Sequence, residues 1–217
     1  MARLRVGVLI SGRGSNLKAL TEACAAPGFP AEIVIVLANR EAPGLAHAAS
    51  AGIPHEIVPH RNFADRAAFD AALDERLRRA GVDLVCLAGF MRLFAPGFVA
   101  SWHNRVVNIH PSLLPSFPGL HPQQQALDAG VRFTGCTVHF VRHATDSGPI
   151  IVQAAVPVLP DDDAERLAER ILIAEHRAYP LALRLIAEGR ARVIGERVEI
   201  AGMRDGPHGA FMINPPS

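Results

Sequence analysis

The stretch "RLRVGVLISGRGSNLKAL", Arg3 to Leu20, joins a strand to a helix through glycines. It opens with an almost unbroken aliphatic run, passes through Gly12 and Gly14, and continues as a helical pattern that starts at about Ser15. A strand apolar on both faces that runs through a glycine turn into a helix belongs to a parallel sheet covered by helices on both sides. Further along the chain, "EIVIVLA", "HEIVP" and "VDLVCLAG" repeat the pattern, each followed by a segment with helical character. The strongest helix is "ADRAAFDAALDERLRRAG". Ala68, Leu73 and Leu77 are expected on one stripe, acids sit early, arginines sit late, and Gly81 ends it. The expected class is α/β, a Rossmann-like doubly wound and mostly parallel sheet.

Beyond "RVVNIHP" the pattern changes. Pro111, Pro115, Pro118 and Pro122 stiffen a loop that can be neither helix nor sheet, and "PQQQALDAG" reads as a short helix with Pro122 at its start and Gly130 at its end. The runs "FTGCTVHFV" and "GPIIVQAAVPV" are joined only by "RHATDS", a connection short enough for a hairpin, so an antiparallel addition to the sheet is expected. A long helix is expected from Asp161 to Ala187, stopped by Gly189, then one or two short strands and a loose Gly/Pro-rich tail. No internal repeat or interdomain linker is visible. The reading is one domain over residues 1–217, with a nucleotide- or phosphate-binding half at 1–104, a catalytic half at 105–190 and a short C-terminal extension at 191–217.

Composition narrows the chemistry. A hydrophobic fraction of 49% in 217 residues suits a globular domain with a proper core. The net charge of +1 leaves no footprint for nucleic acid or an acidic membrane, so a small-molecule partner is expected. No apolar run is long enough to span a membrane, and the first residues run into the glycine loop without a signal-cleavage pattern, so the cytoplasm is the expected compartment. Cys24, Cys86 and Cys136 are odd in number and far apart, as reduced core residues are. Lys18 is the only lysine and lies outside a Walker context, and the ten histidines include no HExxH, so no metal site is expected.

The glycine loop, as a dinucleotide fingerprint, is poor. Leu17 holds the third glycine position, and the second strand ends in Asn39-Arg40 where an acid would meet a ribose. Main-chain N–H groups at a helix start suit a single phosphate better. The competing reading is a tight turn in which Ser15 or Asn16 caps the helix.

Asn108 and His110 alternate with Ile109, so they point to one side of a strand at its C-terminal end, where open α/β sheets bind ligands. An amide donor for an oxyanion beside a proton-carrying imidazole suits addition to a carbonyl carbon. Asp146 lies in the turn "HATDSGP". If the hairpin folds its tip over the strand end, Asp146 meets His110 and favours the charged ring. His47, His55, His60, His103, His143, His176 and His208 are read as structural. Glu175, in "AEHRAYP", is open between a hydroxyl ligand and a solvated surface residue.

With these residues in place, the chain resembles the phosphoribosylglycinamide formyltransferase family. The resemblance runs from about Val6 to Gly189 through "LISGRGSNL", "LAGFMRLF", "NIHPSLLPSFPGLH", "GCTVHFV", "DSGPII" and "AEHRAYP" in that order. It implies transfer of a formyl group from 10-formyltetrahydrofolate, a co-substrate, to the amine of glycinamide ribonucleotide, without metal or covalent enzyme intermediate, by a monomer or homodimer. It implies that Gly14, Ser15 and Asn16 cradle the phosphate and Glu175 holds the ribose. The folate would lie along Met91, Arg92, Leu93 and Phe94, meet Arg66 and Asn108, and be closed over by Arg142, His143, Ala144, Thr145 and Asp146. Asn108, His110 and Asp146 would be the catalytic set. One departure is Gln123, where relatives commonly have a second histidine shortly after His121. Methionyl-tRNA formyltransferase and formyltetrahydrofolate deformylase share the Asn-x-His and Asp elements, but each carries a further domain and neither is expected to have the GSN loop. A non-catalytic folate or nucleotide sensor is the reading from another class.

Overall fold

Val6, Val8, Leu9 and Ile10 are wholly buried, as a strand covered on both faces requires. They belong to β1 (Leu4–Ile10), which lies inside a seven-stranded sheet in the computed structural model, where residues 2–202 are described. The loose tail expected after these residues, and His208, lie outside the described residues. On one side of β1 stand β2 (Ala31–Ala38) and β3 (His55–Ile57), and on the other β4 (Leu84–Leu87) and β5 (Val106–His110), all parallel. The strands β6 (Phe133–Phe140) and β7 (Ile150–Pro157) follow antiparallel, giving the order β3-β2-β1-β4-β5-β6-β7. The chain therefore builds outward from β1 in one direction and then crosses to β4. The C-terminal ends of β1 and β4 flank the switch point, the crevice where such sheets take ligands.

Helices cover both faces. On one face α1 (Ser15–Ala25) and α6 (Ala164–Ala187) pack Leu17, Leu20, Ile171 and Tyr179 against the sheet, with α5 (Pro122–Asp128) adding Ala126. On the other, α3 (Arg66–Arg79) and α4 (Pro96–Ser101) bury Phe69, Leu73, Leu77 and Phe98. The stripe of α3 thus runs through Phe69, and Ala68, expected on it, is exposed. Ala68 instead donates its N–H to the cap residue Asp65 at 2.8 Å. The short helix α2 (Leu45–Ser50) follows β2. The long helix starts three residues later than expected. Asp163 caps it by accepting from Arg166 N, while Asp162 is drawn off to Arg170 at 2.6 Å and so stays outside.

The C-terminal extension is a two-stranded antiparallel sheet, β8 (Ala191–Ile194) with β9 (Arg197–Ile200). Cys24, Cys86 and Cys136 are buried and unpaired, and burial pushes their thiols up to about 11, 12 and 12, so none is a ready nucleophile. Among the described residues no helix is long and apolar enough to cross a membrane.

Candidate active site

The glycine loop hangs from the end of β1. Gly14 is the residue before α1, in the left-handed region at φ 72°, and among the described residues no side chain caps the helix. Ser15 is the first helical residue and Asn16 lies inside the first turn, so the capping reading of either residue does not hold. The first-turn N–H groups are left for something other than a side chain. Gly14 is glycine for a packing reason as well: a Cβ there would stand 2.7 Å from Gly44 Cα. Gly44 N also donates to Gly12 O at 3.0 Å.

Asn16 is only 8% exposed and points its amide at Glu175, donating from Nδ2 to Oε2 at 2.7 Å. Glu175, at 6% exposure, is not surface. Burial raises its pKa, and the Asn16 hydrogen bond opposes the rise. Asn16 Oδ1 is buried and has no partner among the described residues. Ser11 is a second tie in this corner. Its hydroxyl donates to Asn39 Oδ1 at 2.6 Å and accepts from Met91 N at 2.9 Å, while its own N–H donates to Gly89 O at 3.1 Å. The ends of β1, β2 and β4 are thereby locked together.

At the end of β5, Asn108 and His110 point to one side as the alternation predicts. Asp146 comes to them from the β6–β7 turn, with Oδ2 3.4 Å from His110 Nδ1. The other ring nitrogen, Nε2, lies 2.9 Å from Phe117 O. Both nitrogens face acceptors, and only the doubly protonated ring can donate to both. Asp146 Oδ2 also accepts the Gly119 N–H at 2.7 Å, which ties the turn to the proline loop. Asp146 sits at φ 48°, a conformation that Asp tolerates better than most residues.

The proline loop is held from below. Thr137 Oγ1 donates to Ser112 O at 2.7 Å and accepts from Leu114 N at 3.0 Å, and Gln153 Nε2 donates to Leu114 O at 2.9 Å. Ser112 Oγ closes the loop on Ser116 O at 2.6 Å. The backbone behind His110 is thus fixed before any ligand arrives.

His139 is the residue that sequence reasoning missed. Asn108 and His139 are cross-strand partners in the β5–β6 ladder, and Asn108 Nδ2 lies 3.3 Å from His139 Nε2. His139 Nδ1 faces Phe140 O at 3.1 Å and Ser147 O at 3.2 Å, which assigns the proton to Nδ1 and leaves Nε2 to accept from Asn108. Burial pushes the His139 pKa down, with the Phe140 carbonyl and Asp146 opposing, so the neutral ring is favoured. One Asn108 N–H is held by His139 and the second remains for a ligand.

The residues implied for folate fall into two groups. In the loop after β4, Met91 and Leu93 are 64% and 58% exposed, as a platform for an apolar ligand requires. Phe94 is not: its ring stacks on Phe98 at 4.3 Å and on Phe90 at 5.5 Å, inside the core. Arg92 lies over the Phe69 ring at 5.4 Å. Arg66 opens α3 and is exposed. Both arginines act on Asp70, which is buried and holds the loop by accepting from Ala95 N at 2.6 Å. In the β6–β7 turn, His143, Ala144 and Thr145 are exposed. Arg142 is half-buried and its side chain is paired with Glu196 at 2.9 Å and Asn104 at 2.9 Å. Gln123 lies half-buried on α5. Among the described residues no group of three His, Cys, Asp or Glu side chains could hold a metal ion.

The sequence profile of the formyl transferase family matches residues 4–183. Phosphoribosylglycinamide formyltransferase of Escherichia coli is 40% identical over 207 residues, covering 95% of this chain and 98% of its own length. The trifunctional purine biosynthetic protein adenosine-3 of Drosophila melanogaster is 53% identical over 197 residues, 89% of this chain, which spans only 15% of that protein. Among solved structures, glycinamide ribonucleotide transformylase 1 from Symbiobacterium toebii superposes with a TM-score of 0.89 at 52% identity, over 91% of this chain and 94% of that one.

Proposed function

The chain belongs to the formyl transferase family, and from that premise we propose that it moves the formyl group of 10-formyltetrahydrofolate onto the amine of glycinamide ribonucleotide, a step of purine synthesis. The observation that carries the reading is the His110 ring set between Asp146 Oδ2 and Phe117 O, on the same strand end as Asn108.

In this reading the amine lone pair attacks the formyl carbon and the carbonyl π pair moves onto oxygen. The oxyanion takes the free Asn108 N–H and an N–H of protonated His110, the formyl oxygen displacing the Phe117 carbonyl from Nε2. Asp146 keeps the ring charged and helps carry the proton that the amine loses. The bond from carbon to the folate nitrogen then breaks, that nitrogen gains a proton, and tetrahydrofolate leaves. One oxyanion donor of this kind supplies about 3 kcal/mol, roughly a hundredfold in rate. No metal and no covalent enzyme intermediate is needed.

On the nucleotide side, the N–H groups of Gly14, Ser15 and Asn16 receive the phosphate and Glu175 receives the ribose hydroxyls. The uncapped helix start and the buried carboxylate support this. The folate lies along the 91–94 loop, with Phe94 contributing backbone only and Arg66 at the rim. The turn 142–146 closes over the pterin. Residues 1–104 and 105–190 act as one domain, in the cytoplasm, as a monomer or homodimer. The Asn16–Glu175 bond already joins the two halves.

The test is to mix protein, ribonucleotide and formyl-folate and follow loss of the formyl-folate. Loss that depends on the ribonucleotide supports transfer. Equal loss without it would mean hydrolysis, and no loss under either condition would leave a binding module.

A further inference from the structure

We propose that Arg40 is a phosphate-binding side chain of the glycine loop, its guanidinium fork gripping the same phosphate monoester that Gly14, Ser15 and Asn16 receive; the inference rests on that reading of the loop. Arg40 follows β2, at the position where dinucleotide sites carry an acid for a ribose hydroxyl. Here the charge is reversed, and its direction is set. Arg40 Nε donates to Ser11 O at 2.7 Å, which lays the side chain over the root of the glycine loop. The segment that follows folds back on the same loop, through Gly44 N on Gly12 O at 3.0 Å and the close approach of Gly44 to Gly14.

With Nε committed, Nη1 and Nη2 have no protein partner among the described residues, and the side chain is exposed. A tethered guanidinium has already lost much of its rotamer freedom, and its planar fork matches two phosphate oxygens. The other nearby cations are worse placed. Lys18 pairs with Glu22 at 3.8 Å, and Arg13, inside the loop, is exposed without such a tether. A helix start carries about half a positive charge. A phosphate dianion on α1 is left undercompensated unless a full cation joins it.

Arg40→Gln tests this cleanly. The glutamine Nε2 occupies the place of the arginine Nε, the same number of bonds from Cα, so the donor to Ser11 O is kept while the fork is deleted. The variant should raise the KM for the ribonucleotide about tenfold and leave the KM for formyl-folate within about twofold. The Kd for inorganic phosphate, measured by calorimetry on the protein alone, should rise by the same factor, and the penalty should shrink as salt is added. Arg40→Lys, which keeps the charge without the fork, should fall between. An unchanged ribonucleotide KM in Arg40→Gln overturns the assignment, as does an equal rise for both substrates. Ser15→Pro, which deletes a loop N–H, separates the two levels. If Ser15→Pro raises the ribonucleotide KM and Arg40→Gln does not, only Arg40 is wrong. If neither variant changes it and inorganic phosphate does not bind, the phosphate reading of the loop falls as well.

Discussion

Asp146 Oδ2 stands 3.4 Å from His110 Nδ1 and, at the same time, accepts the Gly119 N–H at 2.7 Å. One carboxylate oxygen therefore has an electrostatic task and a structural task, and the two separate by substitution. Asp146→Asn retains an acceptor for Gly119 N and tolerates the positive φ, but has no charge to hold the imidazolium. We expect kcat to fall about a hundredfold with a thermal midpoint within a few degrees of wild type. Asp146→Ala, which loses both tasks, should lower the midpoint as well. Steady-state kinetics and thermal unfolding on the two variants check this, and equal midpoints would contradict the structural task.

Asn108 and His139 should behave as a unit. Asn108→Ala removes the oxyanion donor and should cost about a hundredfold in kcat while both substrates still bind. His139→Leu leaves the donor present but unaimed, so its loss should be of similar order, and the double variant should lose far less than the product of the two. A double-mutant cycle in kcat reads the coupling; additive losses would show that His139 does not act through Asn108.

His139 also sets a direction for pH. Its folded pKa is depressed by burial, so the unfolded chain takes up the proton first. The contribution of the neutral ring is intact above the ordinary histidine value and is lost as pH falls from there through the folded value. Denaturation midpoints for wild type should drop across that window, and those of His139→Leu should drop less.

Glu175 makes the opposite trade. Burial raises its folded pKa, so stability declines as pH rises from the ordinary carboxylate value through the folded value, and stays reduced above it. Glu175→Gln removes that penalty, and its amide can donate to Asn16 Oδ1, which is buried and has no partner among the described residues. The variant should be more stable than wild type at neutral pH by on the order of 1 kcal/mol, lose that advantage in acid, and show a raised KM for the ribonucleotide. Urea titrations at neutral and acid pH, paired with kinetics, test both halves.

Ser15→Pro probes the phosphate cradle with little cost to the fold. Proline is accepted at the first helical position. The chain itself shows the geometry needed, because His121 at φ 57° precedes Pro122 at the start of α5 as Gly14 at φ 72° precedes Ser15. Removing the Ser15 N–H should raise the KM for the ribonucleotide about tenfold and spare that for formyl-folate. Parallel changes in both would argue against a phosphate at this helix start.

What was legible in the sequence was what depends on local pattern. Continuous apolar runs announce buried parallel strands, and the alternation of Asn108 with His110 puts both on one side. The meeting of His110 with Asp146 needed only the hairpin to fold back. What stayed hidden depends on register. His139 looks like one more residue of a buried strand until the antiparallel pairing sets it opposite Asn108. Glu175 did leave a signal, since Ile171, Glu175, Ala178 and Ala182 share the buried stripe of α6, and an acid on an apolar stripe is not solvated surface. Ala68 misled because α3 turns Phe69 inward. Phe94 stacks between Phe90 and Phe98, all within one short window, but Phe90 and Phe94 lie in a loop, where no helical or strand period says which way a side chain turns.

Direct attack of the amine on a formyl carbon held at Asn108 and His110 can be followed in a single-turnover experiment with carbon-13 in the formyl group. Protein in excess over labelled 10-formyltetrahydrofolate is followed by NMR, first alone and then after the ribonucleotide is added. The formyl signal should stay on the folate until the ribonucleotide arrives, and then appear on its amine with no signal on protein and none as formate. Formate released before the ribonucleotide is added, or label attached to the protein, would contradict it.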